Sequence, residues 1–124
     1  MNGKAPNING DGSYSRDFTY VANAVQANLK ALFTENQAAL NQVYNVAVGE
    51  RTTLNELWAS IKEITGCEVN ATYGPNRAGD IPHSLASIEK AKSLLAYDPE
   101  YNVKSGLAMA YDWYKSTLVE EVLV

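Results

Sequence analysis

The sequence predicts an α/β fold with a small sheet and about four helices. Two patterns predict it: apolar residues recur at helical spacing in several segments, and the short apolar runs between these segments are typical of strands. The composition supports a packed core, because 46% of the 124 residues are hydrophobic and only 19% are charged. We therefore expect residues 1–124 to form one domain.

Short strands are predicted at four places. The first 17 residues are rich in Gly, Asn, Ser and Asp and predict turns, with at most a brief strand around Ile8. A second short strand is predicted at 18–21, where it leads into a helix. The apolar run 43–48 predicts a buried strand, in which Asn45 would be a hydrogen-bonded buried amide. Residues 68–73 predict the last strand.

The first two helices have the clearest signals. Helical spacing predicts a helix that extends to about Phe33 and carries an apolar stripe formed by Val21, Val25, Leu29 and Leu32. Residues 34–41 are polar and predict a loop. Thr53 and Glu56 form a capping-box sequence, in which the hydroxyl and the carboxylate bond free amides at a helix start. This second amphipathic helix ends near Gly66.

Two further helices are predicted in the last third of the chain. Ser87 can cap the third helix, which carries Ile88, Ala91 and Leu95 and ends before Pro99. The fourth helix begins at about Val103 and carries a stripe formed by Leu107, Ala110, Tyr114 and Leu118.

The charge balance limits the classes of partner, and the cysteine count indicates the cellular compartment. The net charge is −4, and Lys and Arg are not clustered, which argues against nucleic acid or an anionic membrane as a partner. The single cysteine cannot form an internal disulfide and fits a reducing cytoplasm. No apolar run approaches the length that spans a bilayer. We therefore expect a cytoplasmic protein.

Two loops combine glycine, arginine and aspartate in a pattern that fits an anionic ligand. The first runs from Gly10 to Asp17 and contains Arg16, and the second, 76–80, contains Arg77 and Asp80. Glycine allows close backbone approach, and a guanidinium is a forked donor for phosphate oxygens. The alternatives are an ordinary surface ion pair for Arg16 and a simple turn with a solvated Arg77.

Four blocks, in order along the chain, carry a family resemblance: 8–21, 43–49, 51–57 and 77–84. Together they resemble the C-terminal, substrate-binding part of an extended short-chain dehydrogenase/reductase, most similar to bacterial UDP-N-acetylglucosamine 4-epimerases. The resemblance implies NAD as cofactor of the full-length enzyme, a missing N-terminal Rossmann domain and a homodimeric parent. It also implies that this chain binds no cofactor, is inactive alone and exposes apolar surface where the missing part would pack.

The resemblance also implies roles for individual residues toward a UDP-sugar. Arg16 and Arg77 would hold the diphosphate, and Asp80 would accept hydrogen bonds from the ribose. Segment 6–9, including Asn7 and Ile8, would lie beside the uracil ring. Ser84 stands where strict UDP-glucose epimerases have a tyrosine, so its small side chain would leave room for an N-acetyl group. The catalytic residues would lie in the absent part.

Other interpretations compete with these assignments. Tyr111 and Lys115 fit the Tyr-x-x-x-Lys spacing of the superfamily's catalytic pair, but they follow the substrate-binding blocks, so we reject them. His83, the only histidine, could have a proton role, although a solvated or hydrogen-bonded side chain is favoured, and no second ligand suggests a metal. The parent could also be a UDP-glucose or UDP-glucuronate epimerase or a sugar-nucleotide dehydratase. A stand-alone anion-binding or structural module is the alternative of another class.

Overall fold

The computed structural model describes the backbone of residues 4–122 and the side chains of residues 4–117. In this part of the chain the α/β class and the four helices are confirmed. The elements in chain order are β1 (Asn7–Asn9), β2 (Ser15–Arg16), α1 (Val21–Leu32), β3 (Thr52–Thr53), α2 (Leu54–Thr65), β4 (Thr72–Gly74), α3 (Glu89–Leu95) and α4 (Val103–Val122). A short 3-10 helix, Gln37–Ala39, interrupts the predicted loop after α1. None of the described helices is both long and apolar enough to cross a bilayer.

The strands form two separate ladders. β1 pairs in parallel with β4, with Asn7 opposite Thr72 and Asn9 opposite Gly74. β2 pairs antiparallel with β3. The strand predicted at 18–21 is therefore wrong: pairing takes place a few residues earlier, in β2, where backbone partners are available on β3. The predicted 68–73 strand is shorter and lies later, in β4.

The strand predicted at 43–48 is also wrong. No described residue of this run belongs to a ladder. Val43 is 86% exposed, and Ala47 is the one buried residue of the run. Side chains replace a neighbouring strand as partners of its backbone: the Tyr97 hydroxyl donates to the Ala47 carbonyl at 2.7 Å. Asn45 is exposed rather than buried, and its side chain donates to the Ser87 carbonyl at 3.2 Å. The apolar composition suggested a strand, but the described chain supplies no neighbouring strand for it.

Helix α2 starts and ends as its sequence predicts. The Glu56 amide donates to the Thr53 hydroxyl at 3.1 Å, and the Thr53 amide donates to the Glu56 carboxylate at 2.8 Å. The Thr53 hydroxyl also donates to this carboxylate, at 2.8 Å. The bonds from the Thr53 amide and then from its hydroxyl hold the pKa of Glu56 below its usual value. The helix ends at Gly66, whose φ of +67° is left-handed. α2 packs along α4, where Ile61 lies beside Leu107.

The two later helices begin differently from each other. α3 starts one residue later than predicted, with Ile88 rather than Ser87 at its N-cap and no side-chain cap bond. At α4, the Asn102 side chain accepts from the Ser105 amide at 2.9 Å, which is a capping bond that the sequence analysis did not identify. Gly106 allows α4 to approach α1's N-cap, because a Cβ there would lie 2.7 Å from the Cβ of Tyr20. Leu118, which is predicted to continue the stripe of α4, lies outside the described side chains.

The buried core joins α1, α3 and the run before β3. It consists of Ala27, Ala47, Ile88, Ala91 and Tyr97. Helix α1 presents its small residue Ala27 to this core and buries Asn23, which is 1% exposed. The Asn23 amide donates to the Tyr101 carbonyl at 2.7 Å and accepts from the Tyr101 amide at 3.1 Å. The apolar stripe of α1 faces the opposite way, because four of its residues are at least half exposed: Val21, Val25, Leu29 and Leu32.

Candidate functional site

Backbone hydrogen bonds bring the first glycine loop against the segment 80–84. The Ser15 amide donates to the Pro82 carbonyl at 2.9 Å, and the Ser84 amide donates to the Ser15 carbonyl at 3.1 Å. On its other side β2 pairs with β3, so Ser15 is 3% exposed and held from both sides. This arrangement places Arg16 beside the second loop. Ser84, predicted to lie at the sugar pocket, takes part through its amide and is half-buried.

Arg16 and Asp80, 64 residues apart in the sequence, form an ion pair. Arg16 Nη2 donates to Asp80 Oδ1 at 2.5 Å, and Nη1 donates to the Ser15 carbonyl at 2.8 Å and the Pro82 carbonyl at 3.4 Å. The two side chains are 29% and 32% exposed, so water still reaches the pair. The surface ion pair that the sequence left open is thus present, with Asp80 as its acid. Because the pair is partly solvated, its main effect is to orient the guanidinium rather than to stabilise the fold.

Asp17 lies next to Arg16 but points to another part of the molecule. Its carboxylate accepts hydrogen bonds from the amides of Val48 and Gly49, at 3.0 and 2.9 Å. Burial, and then the charge of Asp17, raise the pKa of Tyr97 above its usual value. Two consecutive residues therefore hold two different segments: Arg16, the last residue of β2, holds segment 80–84, and Asp17, just after β2, holds the turn at 48–49.

Arg77 lies in the second loop with an exposed side chain. Its carbonyl accepts from the Asp80 amide at 3.2 Å, and Gly79 in this turn has a left-handed φ of +80°. Among the described residues, the Arg77 guanidinium makes no hydrogen bond or ion pair. Arg77 and Asp80, the acid that pairs with Arg16, thus lie in the same turn. The joint grip of both arginines on one diphosphate stays a prediction.

The two glycine-containing loops also touch at Gly10. This residue has a left-handed φ of +76°, which favours glycine, and a Cβ there would lie 2.0 Å from the side-chain oxygen of Asn76, which would have to move. Its amide donates to the Gly74 carbonyl at 2.9 Å, which continues the ladder beyond β1. The loop after β1 and the loop before Arg77 are therefore neighbours through Asn76, a contact that sequence reasoning missed.

The predicted uracil-side residues lie on β1. Asn7 is exposed, and its side-chain oxygen accepts from the Thr72 hydroxyl at 3.2 Å. Ile8 is 8% exposed, so its side chain belongs to the core. The contact of a uracil ring with the backbone of this strand, which the family resemblance implies, stays a prediction.

His83 is exposed and hydrogen-bonded, as the favoured interpretation predicted. Its Nδ1 lies 3.0 Å from the hydroxyl of the buried Ser15. Within the described part of the chain, no group of His, Cys, Asp and Glu side chains could hold a metal ion. Tyr111, from the rejected Tyr-x-x-x-Lys match, lies with Ile61 and Ile64 beside the α2–α4 contact.

Asn55 is a second residue that the sequence analysis missed. It sits in the first turn of α2, and its side chain donates to the Asp11 carbonyl at 3.0 Å and accepts from the Tyr73 hydroxyl at 2.9 Å. Its oxygen fills the space that a side chain at Gly12 would need. Asp11 itself bonds the Ser13 hydroxyl and amide, which lowers its pKa. Asn55 therefore fixes the loop that leads to Arg16. The one sequence feature that points to this residue is its position within the capping box of Thr53 and Glu56.

Comparison with known proteins identifies the relatives of this chain. Residues 1–47 match the NAD dependent epimerase/dehydratase family. The solved UDP-glucose 4-epimerase of Thermotoga maritima, with UDP-glucose, is 37% identical with a TM-score of 0.86, over 94% of this chain and 36% of that one. The chain is homologous to the C-terminal part of extended short-chain dehydrogenase/reductase epimerases.

Two further solved epimerases show the range of substrates among these homologues. The UDP-glucuronic acid 4-epimerase of Bacillus cereus, in complex with UDP-glucuronic acid and NAD, is 28% identical with a TM-score of 0.84 over 93% of this chain and 36% of that one. The UDP-N-acetylglucosamine 4-epimerase of Methanobrevibacter ruminantium, in complex with UDP-N-acetylmuramic acid, is 31% identical with a TM-score of 0.75, over 90% and 36%. The homologues thus act on different UDP-sugars.

This chain is much shorter than the relatives that it matches. It spans 36% and 32% of the first two curated relatives that it matches. Its described residues hold no Rossmann unit, since their two ladders contain two strands each. They therefore do not supply the dinucleotide site at which the homologous epimerases hold NAD.

Proposed function

We propose that this chain is the UDP-sugar-binding part of an NAD-dependent nucleotide-sugar 4-epimerase. The observation that carries the proposal is the contact between Arg16 and Asp80, because it joins a guanidinium and a carboxylate from two distant blocks, the groups to which the proposal assigns the phosphate and the ribose. The homology of these blocks to UDP-sugar epimerases supplies the ligand class. NAD, held by the N-terminal part, would accept the hydride from the sugar's C4 and return it.

Each residue of the site has a separate task in this proposal. The Arg16 guanidinium donates to one phosphate of the diphosphate, and Arg77, which is exposed, closes on the other when the ligand arrives. Asp80 Oδ1 keeps Arg16 in position, so Oδ2 is the oxygen that accepts from a ribose hydroxyl. The β1 backbone at Asn7 and Ile8 lies beside the uracil ring. None of these residues moves a proton or a hydride, so the chain alone binds without turnover.

We propose UDP-N-acetylglucosamine and its C4 epimer as the substrates. The support is Ser84, whose position is fixed because its backbone amide donates to the Ser15 carbonyl. Its side chain is small, so a neighbouring N-acetyl group would meet no bulky ring there. UDP-glucose and UDP-glucuronate are the competing substrates, because homologous enzymes carry those names. In a chimera that joins this chain to the N-terminal part of the Thermotoga maritima enzyme, Ser84→Tyr should abolish turnover of UDP-N-acetylglucosamine and spare UDP-glucose. Equal loss with both would exclude this role.

The binding claim can be tested on the chain itself by NMR titration with UDP, UMP and uridine. UDP should bind weakly, because much of the pocket wall would lie in the absent part. Arg16→Ala and Arg77→Ala should each lower UDP affinity about tenfold, as expected for a lost charge-assisted bond, and should remove the preference for UDP over UMP. Arg51→Ala is the matched control, since Arg51 is exposed and makes no side-chain hydrogen bond among the described residues.

Three results would contradict the proposal. Unchanged UDP affinity in both arginine variants would exclude the diphosphate site. A loss in Arg16→Ala without one in Arg77→Ala would exclude the shared grip and leave a single-arginine anion site. Epimerisation of a UDP-sugar by the purified 124-residue chain would show that catalytic groups are present in it.

A further inference from the structure

Ser15 and His83 form a side-chain pair that none of the roles assigned so far uses. His83 Nδ1 lies 3.0 Å from Ser15 Oγ, and the two residues are opposite each other in a parallel bridge. Ser15 is 3% exposed, whereas His83 is exposed. A serine beside a histidine can be a nucleophile with its base, but a buried hydroxyl is out of reach of a substrate. The pair must therefore act on the structure of the site.

The direction of this hydrogen bond follows from the burial of Ser15. The Ser15 hydroxyl makes no other hydrogen bond with the described residues, so His83 Nδ1 is the acceptor available to its proton. A buried hydroxyl proton without an acceptor is unfavourable. The neutral imidazole therefore keeps Nδ1 unprotonated and carries its proton on Nε2.

The side-chain bond specifies the register in which segment 80–84 lies on β2. Two backbone bonds flank it: the Ser15 amide donates to the Pro82 carbonyl, and the Ser84 amide donates to the Ser15 carbonyl. Backbone groups are alike in every residue, so these two bonds alone would also allow a shifted register. The third bond forms only when His83 lies opposite Ser15.

The register of this segment decides what Arg16 contacts. Arg16 Nη1 donates to the carbonyls of Ser15 and Pro82, one on each side of the join. Its Nη2 donates to Asp80, but this ion pair is partly solvated and contributes little to holding the two segments together. A shift of one residue would move Asp80 away from Nη2. The orientation of the Arg16 guanidinium thus depends on the bond between His83 and Ser15.

Tyr14 holds the imidazole in place from the first loop. The centroids of the two rings are 6.5 Å apart and the ring planes are inclined by 59°, which lies within the range of interacting aromatic pairs. The backbone of Tyr14 is fixed in turn, because its carbonyl accepts from the Leu54 amide at 3.0 Å. An exposed histidine is therefore held in one orientation by its contacts with two consecutive residues, Tyr14 and Ser15.

We propose that His83 is a positioning residue of the ligand site: its Nδ1, bonded to the Ser15 hydroxyl, sets the register in which Asp80 meets Arg16. This inference deepens the proposed function and rests on it for the nucleotide, whereas the order of the Arg16 side chain can be measured without any ligand. His83 acts through Arg16 and Asp80 and does not touch the reacting atoms.

Nitrogen NMR of the imidazole tests the bond itself. At mildly alkaline pH, where a histidine ring is neutral, we expect His83 of the native chain as the Nε2–H tautomer alone. Ser15→Ala removes the hydroxyl and should give a mixture of the two tautomers. The same mixture in both proteins would overturn the proposal.

Arginine side-chain NMR tests the consequence for Arg16. Rotation of its guanidinium about the Nε–Cζ bond should be about tenfold faster in His83→Ala than in the native chain. His83→Asn should restore slow rotation, because the asparagine oxygen is as many bonds from the backbone as Nδ1. His83→Gln places its oxygen one bond further out and should not restore it. Leu85→Ala is the matched control, because Leu85 is 49% exposed and lies two positions from His83.

Two results of this measurement would contradict the positioning role. One is an equal rotation rate in the native chain and in His83→Ala, and the other is a recovery in His83→Gln as complete as that in His83→Asn. If His83→Ala does not fold, Ser15→Ala takes its place, because alanine fits the buried position without the hydroxyl. Slow rotation of Arg16 in that variant would equally overturn the proposal.

Nucleotide titration connects the register to the ligand. His83→Ala should lower the affinity for UDP about fivefold and leave that for uridine unchanged, and His83→Asn should restore the UDP affinity. Arginine-dependent UDP binding that His83→Ala leaves unchanged would overturn the role of His83 and keep the ligand proposal. Absence of UDP binding in the native chain, with Arg16 rotation that still depends on His83, would reject the ligand proposal and keep the register role.

Discussion

Helices α1 and α2 are both twelve residues long and both carry an apolar stripe, yet they use their stripes in opposite ways. The stripe of α2 packs on α4, with Ile61 and Leu57 beside Leu107 and Gly106. The stripe of α1 faces outward, and the helix buries Asn23 and Ala27 instead. Periodicity therefore predicts that a helix forms, whereas what covers its apolar side depends on partners that need not lie in the same chain.

The largest expected difference between the two helices comes from placing a charge on each stripe. Ile61→Asp should cost about 2 to 4 kcal/mol of unfolding free energy, because it puts a carboxylate into the α2–α4 contact. Leu29→Asp should cost less, about 1 kcal/mol in the isolated chain, because Leu29 is already 50% exposed. Urea unfolding followed by circular dichroism measures both. Similar losses would mean that the apolar stripe of α1 is covered in the isolated chain.

A smaller effect is expected from the polar residues of α1. Asn23→Ala should cost about 2 kcal/mol, because it leaves the Tyr101 amide and carbonyl without their partner in a buried place. Asn28→Ala is the matched control on the exposed side, where the amide bonds only Ala24 of its own helix. Alanine has the higher helix propensity, so this variant should be neutral or slightly more stable. Equal losses by urea unfolding would show that Asn23 does not fix α1 to the loop before α4.

Local signals predicted the helices well because capping and periodicity act within a few residues. The Thr53–Glu56 box and Gly66 bound α2 as expected. The run 43–48 failed because a strand needs a neighbour, and the apolar composition of the run does not say whether this chain supplies one. The same limit applies to α1: the spacing of its apolar residues predicts a stripe, but it does not predict which part of the molecule covers that stripe.

The candidate site was predictable only in part. A nucleotide-binding role for Arg16 and Asp80 is a prediction from the sequence and the family resemblance, and no local rule brings together residues that are 64 positions apart. Their contact depends on hydrogen bonds between Ser15 and segment 82–84, which have no sequence signature because they are made by backbone. The family resemblance supplied what single-sequence physics could not, namely the hypothesis that the two blocks serve one ligand.

The smallest expected effect concerns the helix starts, where α2 has a capping box and α1 has no side-chain cap. The hydrogen bonds from Thr53 hold the pKa of Glu56 below its usual 4.5. Since the pKa is lower in the folded state, the stabilisation is present above the unfolded value and is lost as the pH falls through the folded value. Glu56→Gln keeps an acceptor oxygen but cannot titrate.

The stability of this variant should therefore fall less steeply than that of the native chain as the pH drops below about 5. Thermal unfolding at a series of pH values from neutral to acid measures the slope. Glu35→Gln is the control, because Glu35 is exposed and makes no side-chain hydrogen bond among the described residues, so its slope should match the native chain. If Glu56→Gln and Glu35→Gln give the same slope, the capping carboxylate does not stabilise the start of α2, and the contrast between the two helices is then confined to their stripes.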